Sequence, residues 1–144
     1  MINKDKLFQL FVDGKEVSGD KTNEEIQEFM NGPYAKIGMF VKLIQIHEIF
    51  HKKLNQFLSK ENPNYDIEQT KNASMFTVYN RAWFYINQID LTDKNHLDAI
   101  LDFKKEPFLS ILEKVLQYFE NIEEYEKCAK LLTLKKLKRN IQNY

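Results

Sequence analysis

The chain has 144 residues, 43% of them hydrophobic and 29% charged, and its 21 basic side chains are balanced by 21 acidic ones. That length and composition suit one globular domain, and seven Gly and Pro residues together are too few for a collagen-like or wholly disordered chain. The basic set is 19 Lys and two Arg, Arg81 and Arg139, so the chain is neutral and poor in the side chain that best forks onto phosphate and base edges, which argues against sequence-specific nucleic-acid binding.

The first twenty residues are open to two readings. Leu7, Leu10 and Phe11 suit a helix ending at Gly14. Asp13-Gly14, flanked by Phe11-Val12 and Val17, also suits a hairpin. The apolar run Leu7–Val12, interrupted by Gln9, is too short for the apolar core of a secretory signal. No later run is long enough to span a bilayer, and the lone Cys128 has no partner for an internal disulfide. A soluble, cytoplasmic protein is expected.

Helical periodicity holds from about residue 22. Thr22 and Glu25 have capping-box spacing and open a helix carrying Ile26, Phe29 and Met30, which Gly32-Pro33 closes. A second helix is predicted from about Tyr34 to Leu58, with a break possible at Gly38, followed by a polar loop from Ser59 to Tyr65. Asp66 then caps a helix to about Ile89, on which Met75, Tyr79, Ala82, Ile86 and Ile89 form an apolar stripe with Phe76 and Trp83 beside it. Phe84 falls on that helix's polar face near Arg81, either covered by another helix or open to a partner. Thr92 is the expected cap of a helix with Leu97, Ile100, Leu101 and Phe103. Pro107 suits the first turn of another, with Phe108, Ile111, Leu112, Val115 and Phe119 in its core face. Asn121 and Glu124 signal the last helix, to about Asn140. The expectation is an all-α single domain over residues 1–144, an irregular bundle of about six helices.

The sharpest motif is His47-Glu48-Ile49-Phe50-His51. On a helix the two histidines share a face and can hold one zinc ion, with the glutamate as base for a bound water. At about 100° per residue both fall among Phe40, Leu43, Ile44, Phe50, Leu54 and Leu58, with Glu48 at the border. The motif resembles that of zincin metallopeptidases, which implies a zinc hydrolase with His47 and His51 as metal ligands and Glu48 as the catalytic base. Lys52 and Lys53 depart from the extended family pattern. The candidate third ligands Asp66, Glu68, His96 and Asp98 lie in no third-ligand motif. Read from the residues alone, His47 and His51 are core histidines bonded to neighbouring helices, with no metal and no catalytic residue.

The segment Tyr118-Phe119-Glu120-Asn121-Ile122-Glu123-Glu124-Tyr125-Glu126-Lys127-Cys128-Ala129 resembles tetratricopeptide and UVR helical hairpins. It lacks the glycine of the first and the Arg-Asp pair of the second, where Leu132-Thr133 stand. The resemblance implies a protein-binding hairpin. Its helices are expected to bury Phe119, Tyr125 and Leu132, leaving Lys127, Lys130, Lys135, Lys138 and Arg139, with Arg81 and Phe84, to meet solvent or a partner. The acidic start and basic end of the last helix also complement the helix dipole.

Three functions remain open on the sequence. The first is a non-enzymatic protein-binding protein without cofactor, such as an inhibitor, immunity or adaptor protein of a mobile element, docking like an anti-CRISPR protein on a nucleic-acid-cleaving defence complex. The second is a small zinc hydrolase, and the third an RNA-contacting protein using its basic C-terminal helix.

Overall fold

A computed structural model describes residues 20–62, 64 and 66–140, so the alternatives for the N-terminal segment lie outside the described residues. Among the described residues six helices follow one another: α1 (Asp20–Asn31), α2 (Pro33–Glu61), α3 (Ile67–Ile86), α4 (Lys94–Asp102), α5 (Lys105–Asn121) and α6 (Tyr125–Asn140). The fold is an all-α bundle, with no strand among the described residues. None of the described helices is long and apolar enough to cross a membrane.

The element boundaries differ from the sequence reading where a nearby residue makes the better cap. Helix α1 begins at Asp20, so Thr22 lies inside it rather than at its cap. Pro33 occupies the first turn of α2, where a missing N–H costs nothing, and the helix runs unbroken through the buried Gly38 to Glu61. The expected loop at Ser59 is therefore still helix. Asp66 caps α3 as expected, its carboxylate accepting from Gln69 N. At α4 the cap is Asp93, which accepts from Asn95 N; Thr92 instead donates to Asp90 from both its amide and its hydroxyl. Those two bonds, the hydroxyl's foremost, hold the Asp90 carboxyl below its ordinary range. Asn121 closes α5 instead of opening α6, and the turn between them places Glu123 in the left-handed region (φ 62°).

Helix α2 is the axis. At about 1.5 Å per residue its 29 residues extend over roughly 43 Å. Its first half buries Ala35, Ile37, Phe40, Val41 and Ile44. Of these, Ile37, Phe40, Val41 and Ile44 meet Tyr79, Ala82 and Ile86 of α3, Ala99 and Ile100 of α4, Phe108, Ile111, Leu112, Val115 and Phe119 of α5, and Leu131 and Leu134 of α6 in one continuous core. Phe40 and Phe108 are fully buried and pack edge to face at 6.3 Å. A smaller cluster, Phe29 with Ala35, joins α1 to α2, and Tyr34 carries it to Phe103 at a ring separation of 5.1 Å.

Helix α6 turns a different stripe inward than the sequence suggests. Cys128, Leu131, Leu134 and Lys138 are buried, whereas Tyr125 is 65% and Leu132 40% exposed. Phe76 of α3, placed beside the core stripe by periodicity, is 62% exposed. Periodicity gives the apolar sector of a helix, but its edges are buried only where a neighbouring helix reaches them.

Candidate functional site

The second half of α2, from Ile46 onward, has two unlike faces. One looks outward and is apolar: Ile46 is 59% exposed, Ile49 59%, Phe50 63% and Phe57 61%. Spacings of three, four and seven residues put these four on one side of the helix. Lys42, Lys53 and Lys60 share that side, and all three are exposed. Glu61, exposed in the last turn four residues beyond Phe57, is the acidic residue on that side. Phe50, expected in the core with His47 and His51, is thus a surface residue: it sits at the edge of the apolar sector, and none of the described helices covers that edge. Sequence reasoning missed Ile46, Ile49 and Phe57. The available signal was a second apolar stripe opposite the first, since a long helix apolar on both sides has either two neighbours or one exposed face.

The other face is polar and buried. His47 and His51 are 9% and 8% exposed, and their rings stack nearly parallel at 5.5 Å. His47 packs edge-on against Tyr79 of α3 at 6.0 Å. Ser74 Oγ lies 3.0 Å from His47 Nε2 and 3.1 Å from the Lys71 carbonyl, so its one hydroxyl proton serves either the carbonyl, with His47 donating from Nε2, or His47 Nε2 itself. His47 Nδ1, His51 Nε2 and Asn55 Oδ1 are all buried without a hydrogen-bond partner among the described residues. Burial, then the neighbouring His51 and Lys71, hold the His47 imidazole below its ordinary pKa against the opposing pull of Glu48, which keeps it neutral near pH 7. Tyr79, buried beside it and facing Glu48 and Tyr118, is pushed up to about 12.

These groups line a cavity of about 640 Å³ between α2, α3 and α5, walled also by Met75, Gln117 and Tyr118. Glu48 stands at its mouth and pairs with Lys114 of α5 at 2.8 Å. In that pair its carboxylate is held by an ammonium group rather than presented as a free base. Glu68 and Lys71 also line the cavity. The other candidate ligands lie elsewhere: Asp66 caps α3, and His96 accepts from Asp90 N through Nδ1 at 2.9 Å. Among the described residues no three His, Cys, Asp or Glu side chains are grouped so as to hold a metal ion.

The cations of α6 are largely engaged inside the bundle. Lys138 is 2% exposed, and its ammonium donates to the carbonyls of Ile100 (2.7 Å), Leu101 (3.1 Å) and Phe103. It closes the C-terminal end of α4, whose last carbonyls have no helical partner. The expectation that Lys138 meets solvent or a partner therefore fails. Its desolvation lowers its pKa, against the opposing pull of Asp102. Lys130 does the same at the end of α3, donating to the Asn87 carbonyl at 2.8 Å, and burial lowers its pKa also. Lys127 bonds Asn80 Oδ1 at 3.2 Å and lies over the Phe119 ring at 4.9 Å. Lys135 and Arg139 share Glu113, at 3.4 and 3.1 Å. None of the described helices covers Phe84: it is 51% exposed, with the Arg81 guanidinium 4.9 Å from its ring centre.

No family model, no curated protein and no solved structure matches the chain.

Proposed function

We propose that the protein is a non-enzymatic binding protein that docks on an acidic patch of a larger protein through the outward face of α2. The observation that supports this is the exposed stripe Ile46, Ile49, Phe50 and Phe57, with three lysines against one acidic side chain, Glu61, on the same side. Four large apolar side chains in one row are more than isolated surface hydrophobes, and such contiguous patches mark interaction sites. Aromatic and aliphatic anchors with a charged rim are the usual anatomy of a protein interface. In a neutral protein, Lys42, Lys53 and Lys60 supply a local field that steers a negatively charged partner into register and speeds its arrival. Inhibition by covering a partner's working surface is the activity such a face suits.

The test replaces Ile46, Phe50 and Phe57 together by Ser and compares capture of partners from the native cell with that of the wild type. The variant should keep its unfolding midpoint and lose a partner that the wild type retains in stoichiometric amount. A partner that survives this change and is lost on Lys135→Glu with Arg139→Glu would move the interface to α6 and contradict the proposal.

A further inference from the structure

Resting on the docking face assigned above, we propose that its partner presents an α-helix. That helix packs along α2 as a short two-stranded coiled coil, with acidic side chains at the seam positions that meet Lys53 and Lys60. Ile46, Phe50, Lys53, Phe57 and Lys60 follow one another at intervals of four, three, four and three residues, and all five are exposed. That is a heptad seam over two repeats, about 21 Å of helix. Helix α2 has no Gly or Pro over this stretch and runs unbroken to Glu61. Side chains at this spacing leave holes that receive the knobs of a second helix with the same repeat, a match that a flat or strand-built surface does not supply. Ile49 flanks the seam and widens its apolar border.

The lysines within the seam select among helices. Lys42, Lys53 and Lys60 have no ion-pair partner among the described residues, and Glu61 stands one position past the last seam residue. A polar residue in a coiled-coil seam specifies the partner at a cost in stability. A second copy of this chain would set its own lysines against Lys53 and Lys60, and that like-charge contact counts against self-association. An anionic bilayer fits less well. Interfacial helices keep their lysines on a polar face opposite the apolar one, whereas Lys53 stands between Phe50 and Phe57 within the row. An opposing helix with Glu or Asp at those two levels pairs both ammonium groups, while the lysine stems lie along apolar surface.

The experiment uses designed helical peptides, one for each chain direction, with Leu facing Ile46, Phe50 and Phe57 and Glu facing Lys53 and Lys60. Each has a control with Lys in place of the two Glu. Binding to the full chain is followed by fluorescence anisotropy and peptide helicity by circular dichroism. At least one Glu peptide should bind saturably and gain helix, and its Lys control should bind about tenfold more weakly or worse. Lys53→Glu with Lys60→Glu should reverse that preference. Ile46→Ser, Phe50→Ser and Phe57→Ser together should abolish binding of both with an unchanged unfolding midpoint. Four results would overturn the proposal: no saturable binding of either Glu peptide, equal affinity for the Glu and Lys peptides, binding retained by the serine variant, or tighter binding of the chain to phosphatidylserine vesicles through Ile46, Phe50 and Phe57 than to either Glu peptide. Failure of the peptides while the serine variant still loses its stoichiometric cellular partner would strike the helical partner and spare the docking face. A serine variant that loses no partner would strike the docking face itself.

Discussion

The two halves of α2 obey opposite rules. From Ala35 to Ile44 the helix buries its apolar side chains beneath α3, α4 and α5 in the ordinary way. From Ile46 to Phe57 it leaves Ile46, Ile49, Phe50 and Phe57 in solvent and buries His47 and His51. Lys36 lies 5.6 Å from the Tyr85 ring near the end of α3, whereas His47 meets Ser74 in the middle, so the two helices run antiparallel and α3 accompanies α2 along both halves. What changes is the company on the other sides. The short α4 packs at the start of α2, where its C-terminal cap Phe103 meets Tyr34. A helix longer than the core it serves has a half that folding does not need to be apolar, and apolar residues kept there point to a use outside the chain.

The largest test of this contrast is a pair of phenylalanines. Phe40→Ala removes a fully buried ring that packs on Phe108 and should cost about 3–5 kcal/mol in denaturant unfolding. Phe50→Ser, in the second half, should change stability by no more than about 0.5 kcal/mol, as surface substitutions do. Similar losses at both positions would mean that the outward face is covered within the chain.

Next in size is Lys138→Ala. Lys138 closes α4, which covers the first half of α2, and its removal leaves three carbonyls without their donor. A loss of roughly 1–3 kcal/mol is expected. Lys138→Met keeps the apolar stem but should recover only the packing part.

The buried polar face gives a pH signature. The folded-state pKa of His47 lies below its unfolded value of 6.5, so below that value the unfolded chain binds more protons than the folded one. Stability from this group is fully present above pH 6.5 and is lost as pH falls through the folded pKa. Charged and titratable neighbours facing it are Glu48, His51, Lys71 and Tyr79. Thermal midpoints measured from pH 7.5 down to 5 should fall for the wild type and fall less for His47→Gln. Tyr79 acts in the opposite direction at high pH: its folded pKa of about 12 lies above the unfolded 10, so its contribution is present below pH 10 and lost as pH rises toward 12. Equal pH slopes for wild type and His47→Gln would contradict the neutral, buried imidazole.

The smallest effect belongs to the Glu48–Lys114 pair at the mouth of the cavity. Both side chains are more than 40% exposed, so Glu48→Ala should cost about 1 kcal/mol or less.

The sequence revealed more of the fold than of the candidate sites, for reasons visible in particular residues. The core side of α5 was legible because Phe108, Ile111, Leu112, Val115 and Phe119 repeat at helical spacing and all five are buried. His47 and His51 were legible as inward-facing for the same reason. Phe50 was not, because it stands at the edge of the apolar sector, where burial depends on whether a neighbouring helix reaches it. Lys138 was not, because a basic residue near a helix C-terminus has an adequate local explanation in the dipole. Its real partners, the carbonyls of Ile100, Leu101 and Phe103, are more than thirty residues away in sequence. Ser74 gave no local signal, since its significance comes from meeting His47 from another helix.

The most direct test of the docking face is site-specific photocrosslinking in the native cell. A photoreactive phenylalanine analogue at position 50 is compared with the same analogue at Lys136, an exposed position on α6. The account expects a single dominant adduct from position 50, formed with a protein whose contacted peptide is acidic, and none from position 136. A dominant adduct from position 136 with none from position 50 would contradict it.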